Sequence, residues 1–346
     1  MSAVAALGLA LAAVAAAGAA PPAPLFRYAD PAITESSGLA VSSYDDRVVF
    51  THNDSGDAAR FFAVDAATGR TLGAYRLPGA TNVDWEDMAA APDEAGVPAL
   101  WFADIGDNRG RRTEVVLYRV PEPRVPLDRS TGSASTAPPS HYRLRYPDGP
   151  HDAEALLLDP RRGGVYVATK SLSGRTAVYS VPSPLRQGRP AVLRLVATVE
   201  LGLGAAVTGG AVAPGGDRLV LRTYSDAYAW PLGAAGVSAA LRSSPIQVPL
   251  PAMPQGESVA FRSDGALLVG SEGRHSPVYA VGLPALAPAV TSTRDGERSP
   301  AGHAPSSQGP ERAVLLSGAG GAAVLVGWTF LRRRRARPPS RRSRRG

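Results

Sequence analysis

The 346-residue chain contains no cysteine. Disulfides and thiolate metal sites are therefore excluded, and the fold must be held by its own core. Lysine is nearly absent too, since Lys170 is the one lysine beside 36 arginines, a coding bias that says little about chemistry. Several catalytic signatures are also missing. Ser36-Ser37-Gly38 lacks the G-x-S-x-G elbow, no Ser/His/Asp order is readable, and Gly209-Gly210 and Gly215-Gly216 are not phosphate loops. After Asp54 the spacing departs from an EF-hand, with no glutamate at the twelfth position. No LPxTG-type wall-sorting signal is found.

A net charge of +7 suggests nucleic acid, but nine arginines lie between Arg332 and Arg345, leaving about −2 for the rest. The basic character belongs to a tail, so no nucleic-acid partner is expected. Ala313 to Leu331 is 19 residues without a charge, about the length that crosses a hydrocarbon core. The RRRRAR that follows predicts a cytoplasmic tail at 332–346 and an extracellular N-terminal part. Residues 1–19 end in Ala17-Gly18-Ala19 and read as a signal peptide, although no positive charge precedes the hydrophobic run. Residues 287–312, rich in Pro, Ser and Gly, read as a stalk. A single-pass cell-membrane protein with an ectodomain at 24–286 is the expectation.

Within 24–286 a weak repeat is orderly. Five segments align on a short apolar strand: SGLAVSS from Ser37, EDMAAAP from Glu86, EALLLDP from Glu154, TGGAVAP from Thr208 and ESVAFRS from Glu257, at steps of 49, 68, 54 and 49 residues. A second, a third and a more alternating fourth strand follow, separated by Gly, Pro, Asp and Asn turns. Four short strands per unit predict an all-β propeller of five blades, or six or seven if divergent units escape notice. An insertion at Pro121 to Ser140 accounts for the 68-residue step. The last unit lacks a fourth strand. PLFRYADPAITES, Pro24 to Ser36, resembles the other fourth-strand segments and is expected to supply it, hiding the sheet edges of an open array.

The polar residues fall in columns. Where each first strand begins, the sequence reads Ser37, Glu86, Glu154, Thr208, Glu257, and two positions earlier Glu35, Asp84, Asp152, Ala206, Gln255. These positions share the face that carries the loops after the second strands, where D-x-G-D occurs twice, at Asp54 to Asp57 and Asp104 to Asp107. Hard oxygen donors without thiols predict calcium, with Glu86, Glu154, Glu257, Asp84, Asp152, Asp54 and Asp104 as candidate ligands. Equally, Asp54 and Asp104 are residues that bond backbone amides in tight turns. His52 and His151 are assigned to the same face as candidate substrate contacts or proton carriers, and histidines held by structural hydrogen bonds are the alternative. Lys170 and Arg222 are candidate substrate contacts, or partners of the acidic ring.

At ESSGLA, THNDSGD, NVDWEDMA, ADIGDN and HDAEA the chain resembles secreted or membrane-anchored, WD-repeat-like propeller proteins of high-GC Gram-positive bacteria. The resemblance implies a fold and a location but no reaction. More distantly, the acidic mouth is similar to calcium-dependent lactonases of the gluconolactonase/regucalcin type and to phytase-like propellers, from which Glu86, Glu154 and Glu257 inherit a metal role. The expected function is a cell-surface binding or scaffolding module for an extracellular protein, glycan or small ligand. A calcium-dependent hydrolase of esters, lactones or phosphoesters is the alternative.

Overall fold

The computed structural model describes residues 22–286. The expected signal peptide, the stalk, the membrane span Ala313–Leu331 and the basic tail lie outside the described residues. Among the described residues no helix is long and apolar enough to cross a membrane.

The chain forms five sheets. Blade one is Ser36–Val41, Val48–Asn53, Arg60–Asp65 and Thr71–Arg76. Blade two is Trp85–Pro92, Pro98–Asp104, Val115–Pro121 and Ser140–Arg145. Blade three is Ala153–Asp159, Gly164–Thr169, Arg175–Ser180 and Arg194–Glu200. Blade four is Val207–Val212, Arg218–Thr223, Asp226–Pro231 and Ile246–Pro249. Blade five takes Gly256–Phe261, Leu267–Ser271 and Pro277–Val281 from the C-terminal side, and its outer strand, Phe26–Arg27, from the other end of the chain. Each inner strand packs beside the next, and the first packs beside the fifth, so the ring is closed. The closure expected from PLFRYADPAITES is present.

A blade is covered on both faces, so its inner strands bury residues of both parities and lose the simple alternation of a half-exposed sheet. Ala153–Asp159 is buried at every position, whereas the outer strand Ser140–Arg145 alternates. Each of the five gaps between blades holds one apolar cluster. The gap between blades one and two is the most aromatic, joining Phe50, Phe61, Tyr75, Trp85, Phe102 and Tyr118. Trp85 is wholly buried there, and its Nε1 donates to the Thr81 carbonyl at 3.0 Å. Packing is thus its role.

Two blades carry a fifth strand that the repeat does not reveal. Within the insertion, Ser133–Ser135 runs parallel to Thr71–Arg76 of blade one, and Ala191–Val192 runs parallel to Ser140–Arg145 of blade two. The insertion begins by binding backward as well: Glu122, buried, accepts from the Ser43 amide at 3.0 Å and from the Ser42 hydroxyl. What looks like a loop is a strap across the outer edge of blade one.

Candidate functional site

All five inner strands share an irregularity at their N-terminal end. The pairing register shifts between Ser36 and Leu39, Trp85 and Asp87, Ala153 and Ala155, Val207 and Gly209, and Gly256 and Val259. The repeated column of Ser37, Glu86, Glu154, Thr208 and Glu257 sits in these bulges. An unpaired residue in a bulge is re-aimed relative to the pleat, which turns this column toward one mouth of the channel. In blades one and four the column residue is a hydroxyl that ties neighbours together. Ser37 Oγ donates to the Glu86 carbonyl at 2.6 Å, and Thr208 Oγ1 donates to the Gly256 carbonyl at 3.0 Å. In the other three blades it is a buried glutamate.

Two groups of carboxylates result. Oxygens of Asp54, Asp84 and Glu86 lie within 4.8 Å of one another, as do oxygens of Glu86, Asp152 and Glu154. Glu86 belongs to both. Its pKa is pushed well above the carboxylate range by burial and then by the charges of Glu154, Asp54 and Asp84. Asp54 is raised to about 7 by burial and by Asp84, and one of its oxygens, Oδ1, is buried without a hydrogen-bond partner. Gly106 makes this crowding feasible, since a Cβ there would fall 2.1 Å from Glu86 Oε1 and 2.7 Å from Asp84 Oδ2. A side chain at 106 would displace the carboxylates.

The two D-x-G-D turns divide their work. In blade one, Asp54 faces the mouth, while Asp57 accepts from Asn53 Nδ2 at 2.7 Å and from Arg60 Nε at 2.8 Å and so stays in the turn. In blade two the expected ligand Asp104 is wholly buried outside both carboxylate groups. It pairs with Arg112 at 2.8 Å and accepts from the Asp84 amide at 3.1 Å, so it holds Asp84 in place instead of joining it. Asp107 donates its backbone N–H to Asp152 Oδ1 at 2.7 Å and orients that carboxylate from the neighbouring blade. Glu257 lies outside both groups as well, with Oε1 held by Gln255 Nε2 at 3.1 Å and Oε2 buried without a partner.

The basic candidates separate. Lys170 Nζ contacts Glu154 at 2.6 Å. Burial works against its charge, but Glu154 and Glu257 outweigh it and hold the ammonium well above its ordinary pKa. Lys170 is a partner of the acidic ring. Arg222 is wholly buried and donates to the Gly270 carbonyl at 2.6 Å and to the Ser258 carbonyl, bridging blades four and five. Burial lowers its pKa to about 9. Arg222 lacks the access a ligand contact requires. His52 differs from its expected place in the same way. Its ring is fully buried, edge-on to Trp85 at 5.4 Å, and burial lowers its pKa to about 4. The second strand of blade one turns it into the gap between blades and away from the face. His151 is on the rim, with Nε2 3.0 Å from Asp148 and 3.1 Å from the Tyr179 hydroxyl.

One functional carboxylate lies outside the repeated columns. Asp87 follows Glu86, is fully buried, and points down the channel where the other blades offer Gly38, Ala155, Gly209 and Ser258. Its Oδ2 accepts from the Leu156 amide of blade three at 2.8 Å and the Gly210 amide of blade four at 3.2 Å, while Oδ1 accepts from Met88 N at 2.8 Å. Small residues at the four equivalent positions are the signal that could have found it.

The acidic mouth predicts a pH dependence. Asp54 rises from 3.8 to about 7, and Glu272 from 4.5 to about 8 through burial and the charge of Glu257. The folded protein binds more protons than the unfolded chain between those limits, so stability falls as pH rises across them. Without divalent cations, melting monitored from pH 6.5 to 8, above the range in which the buried His52 opposes the trend, should show a loss on the order of 2 kcal/mol, the sites sharing one field. Melting that improves over this window would contradict the crowded mouth.

No family model matches the sequence, and no curated protein does. Among solved structures, a crystal structure of glucose dehydrogenase is 11% identical, with 76% of this chain and 99% of that one covered at a TM-score of 0.45. A nidogen/laminin complex is 15% identical, covering 69% and 73% at a TM-score of 0.37. The Dos1 propeller is 9% identical at a TM-score of 0.33, with 68% of this chain covered, and this chain spans about half (55%) of its length. At these values the likenesses transfer no activity. On its own strand order and ring closure, the chain is a five-bladed β-propeller.

Proposed function

We propose that the acidic mouth holds a hard divalent cation, calcium first, and that the propeller is a cell-surface binding module whose ligand is recognised on that face. The observation that carries the reading is the sharing of Glu86 between two groups of carboxylates contributed by three blades. Oxygen-only donors with like charges at short range suit calcium better than a softer ion. The buried, unpartnered Asp54 Oδ1 adds support, because an orphaned buried carboxylate oxygen is costly unless a cation or donor fills the place. Placement at the cell surface rests on the expected signal peptide and on Ala313–Leu331.

The test is melting of the full-length protein with calcium and with chelator. At a calcium concentration about a hundred times Kd, stabilisation should be about 2.7 kcal/mol, or roughly 5–10 °C in Tm for a domain of this size. Glu86→Gln, which serves both groups, should abolish most of that shift, and the shift should grow with pH as protons leave the site. An identical melt in calcium and chelator sinks the cation.

A hydrolytic reading is favoured by one further observation, the His151, Asp148 and Tyr179 cluster adjoining Asp152 in sequence. In it, the cation would polarise an ester, lactone or phosphoester oxygen and a rim group would move a proton. A panel of such substrates that stays silent with the calcium-loaded protein removes this reading and leaves the binding module.

A further inference from the structure

We propose that the outer edge of blade two is a second binding surface, which takes a linear anionic glycan, a sugar chain carrying sulfate, phosphate or carboxylate groups at intervals. In the outer strand Ser140–Arg145, Tyr142 and Leu144 are buried in the gap toward blade three, so His141, Arg143 and Arg145 stand on the opposite face, exposed. Side chains on one strand face recur about every 7 Å. Residues 186–194 are laid beside this row by four contacts. Gln187 Oε1 accepts from the His141 amide at 3.2 Å, Arg143 Nη2 donates to the Gly188 carbonyl at 2.9 Å, and Leu193 N donates to the Arg145 carbonyl at 2.8 Å. Ala191–Val192 pairs in parallel with Leu144 and Arg145. Arg186 and Arg189 therefore flank the two residues that bond to the row, and Arg194 follows the one that bonds to its end.

Counter-charge is scarce along this edge. Glu114 reaches Arg143 at 3.3 Å. Among the described residues no acidic side chain forms an ion pair with Arg145, Arg186, Arg189 or Arg194, and all four are exposed. Arginines of other blades do have such partners, as Arg47 has Asp65, Arg175 has Glu200 and Arg218 has Asp217. In a chain that sums to about −2 outside its tail, five arginines gathered on one edge make a local field of the opposite sign.

Charge and shape select the occupant. A narrow row of guanidinium groups matches a chain of anions better than a plane of lipid headgroups, and Val192, 47% exposed opposite Arg145, is too small to anchor the edge in a membrane. The nearest rings on the outer strand and its exit, Tyr142 and Tyr146, are buried, so no platform is offered on which nucleic-acid bases could stack. Guanidinium forks bind sulfate, phosphate and carboxylate through paired hydrogen bonds. None of this rests on a divalent cation in the mouth.

The test is arginine modification by phenylglyoxal on the full-length protein at low salt, read residue by residue by mass spectrometry, with and without a heparin oligosaccharide. Each arginine is its own readout, so binding by the basic tail at 332–346 is scored separately. Modification of Arg145, Arg186, Arg189 and Arg194 should slow about tenfold, while the exposed Arg109, Arg129 and Arg274 of other loops keep their rates, and about 1 M salt should erase the difference. In the variant Arg145→Gln/Arg189→Gln, whose two sites are exposed and whose melting should match wild type, protection of Arg186 and Arg194 should fall about fivefold or more. Equal slowing of both sets of arginines, protection confined to the tail, or protection unchanged in the variant overturns the inference. Equal protection by a single-stranded oligonucleotide of the same charge, or by anionic vesicles, overturns the assignment to a glycan.

Discussion

A chain lacking Pro24–Ile33 is expected to lose on the order of 5–8 kcal/mol of stability, a large share of the roughly 5–15 kcal/mol that typical domains possess. The deletion removes Phe26, Tyr28 and Ile33, all 5% exposed or less and all in the cluster between blades five and one. Burial of each such side chain stabilises by about 1.5–3 kcal/mol. It also strips the outer strand from Pro277–Val281 and the bond from Leu25 N to the Val278 carbonyl, leaving a bare sheet edge. In an open array the damage would stay in one blade. In a closed ring the first and fifth inner strands depend on each other, so urea unfolding should remain a single transition at a much lower midpoint. A midpoint unchanged from the intact chain would mean that the ring does not need this strand.

Replacing Asp87 by alanine should cost about 3 kcal/mol or more and lower Tm by roughly 6–12 °C, because hydrogen bonds to a carboxylate are worth about 1.5–3 kcal/mol each. Leu156 N and Gly210 N lie 69 and 123 residues from Asp87. Deleting the carboxylate therefore leaves donors of two other blades unpaired in the channel. Burial pushes the Asp87 carboxyl well above its ordinary pKa, against the pull of three N–H groups. Asp87→Asn keeps one acceptor oxygen and should fall between wild type and Asp87→Ala. Equal melting of all three proteins would show that the contacts across the axis contribute nothing.

Much of the fold was readable because each blade is local. Its four strands follow one another in sequence with turn residues between, and the steps of 49 to 68 residues expose the repeat. Even the closing strand was legible, since it resembles the fourth strands it replaces. The fifth strands Ser133–Ser135 and Ala191–Val192 were not, because segments of two or three residues bind parallel to distant edges without a periodic signal of their own.

The candidate site was legible to a lesser degree. Residue type and column placed Asp54, Asp84, Glu86, Asp152 and Glu154 on one face, and the structure brings their oxygens together. The same reasoning included Asp104, His52 and Arg222, which share that end of the blades but turn inward to Arg112, Trp85 and the Ser258 and Gly270 carbonyls. A strand sequence states which residues alternate. It does not state which of the two flanking gaps a side chain enters once a bulge has reset the pleat.

By itself, then, the sequence determined the strand order, the repeat, the absence of covalent cross-links and the concentration of carboxylates at one end of the blades. These follow from periodicity, turn chemistry and composition, which act over a few residues. Only the tertiary structure decided that Glu86 serves two carboxylate groups, that Asp87 joins three blades, and that Glu257 stands outside both carboxylate groups. Those outcomes depend on how five bulged strands converge on one axis, where distances between residues far apart in the chain are set by ring closure.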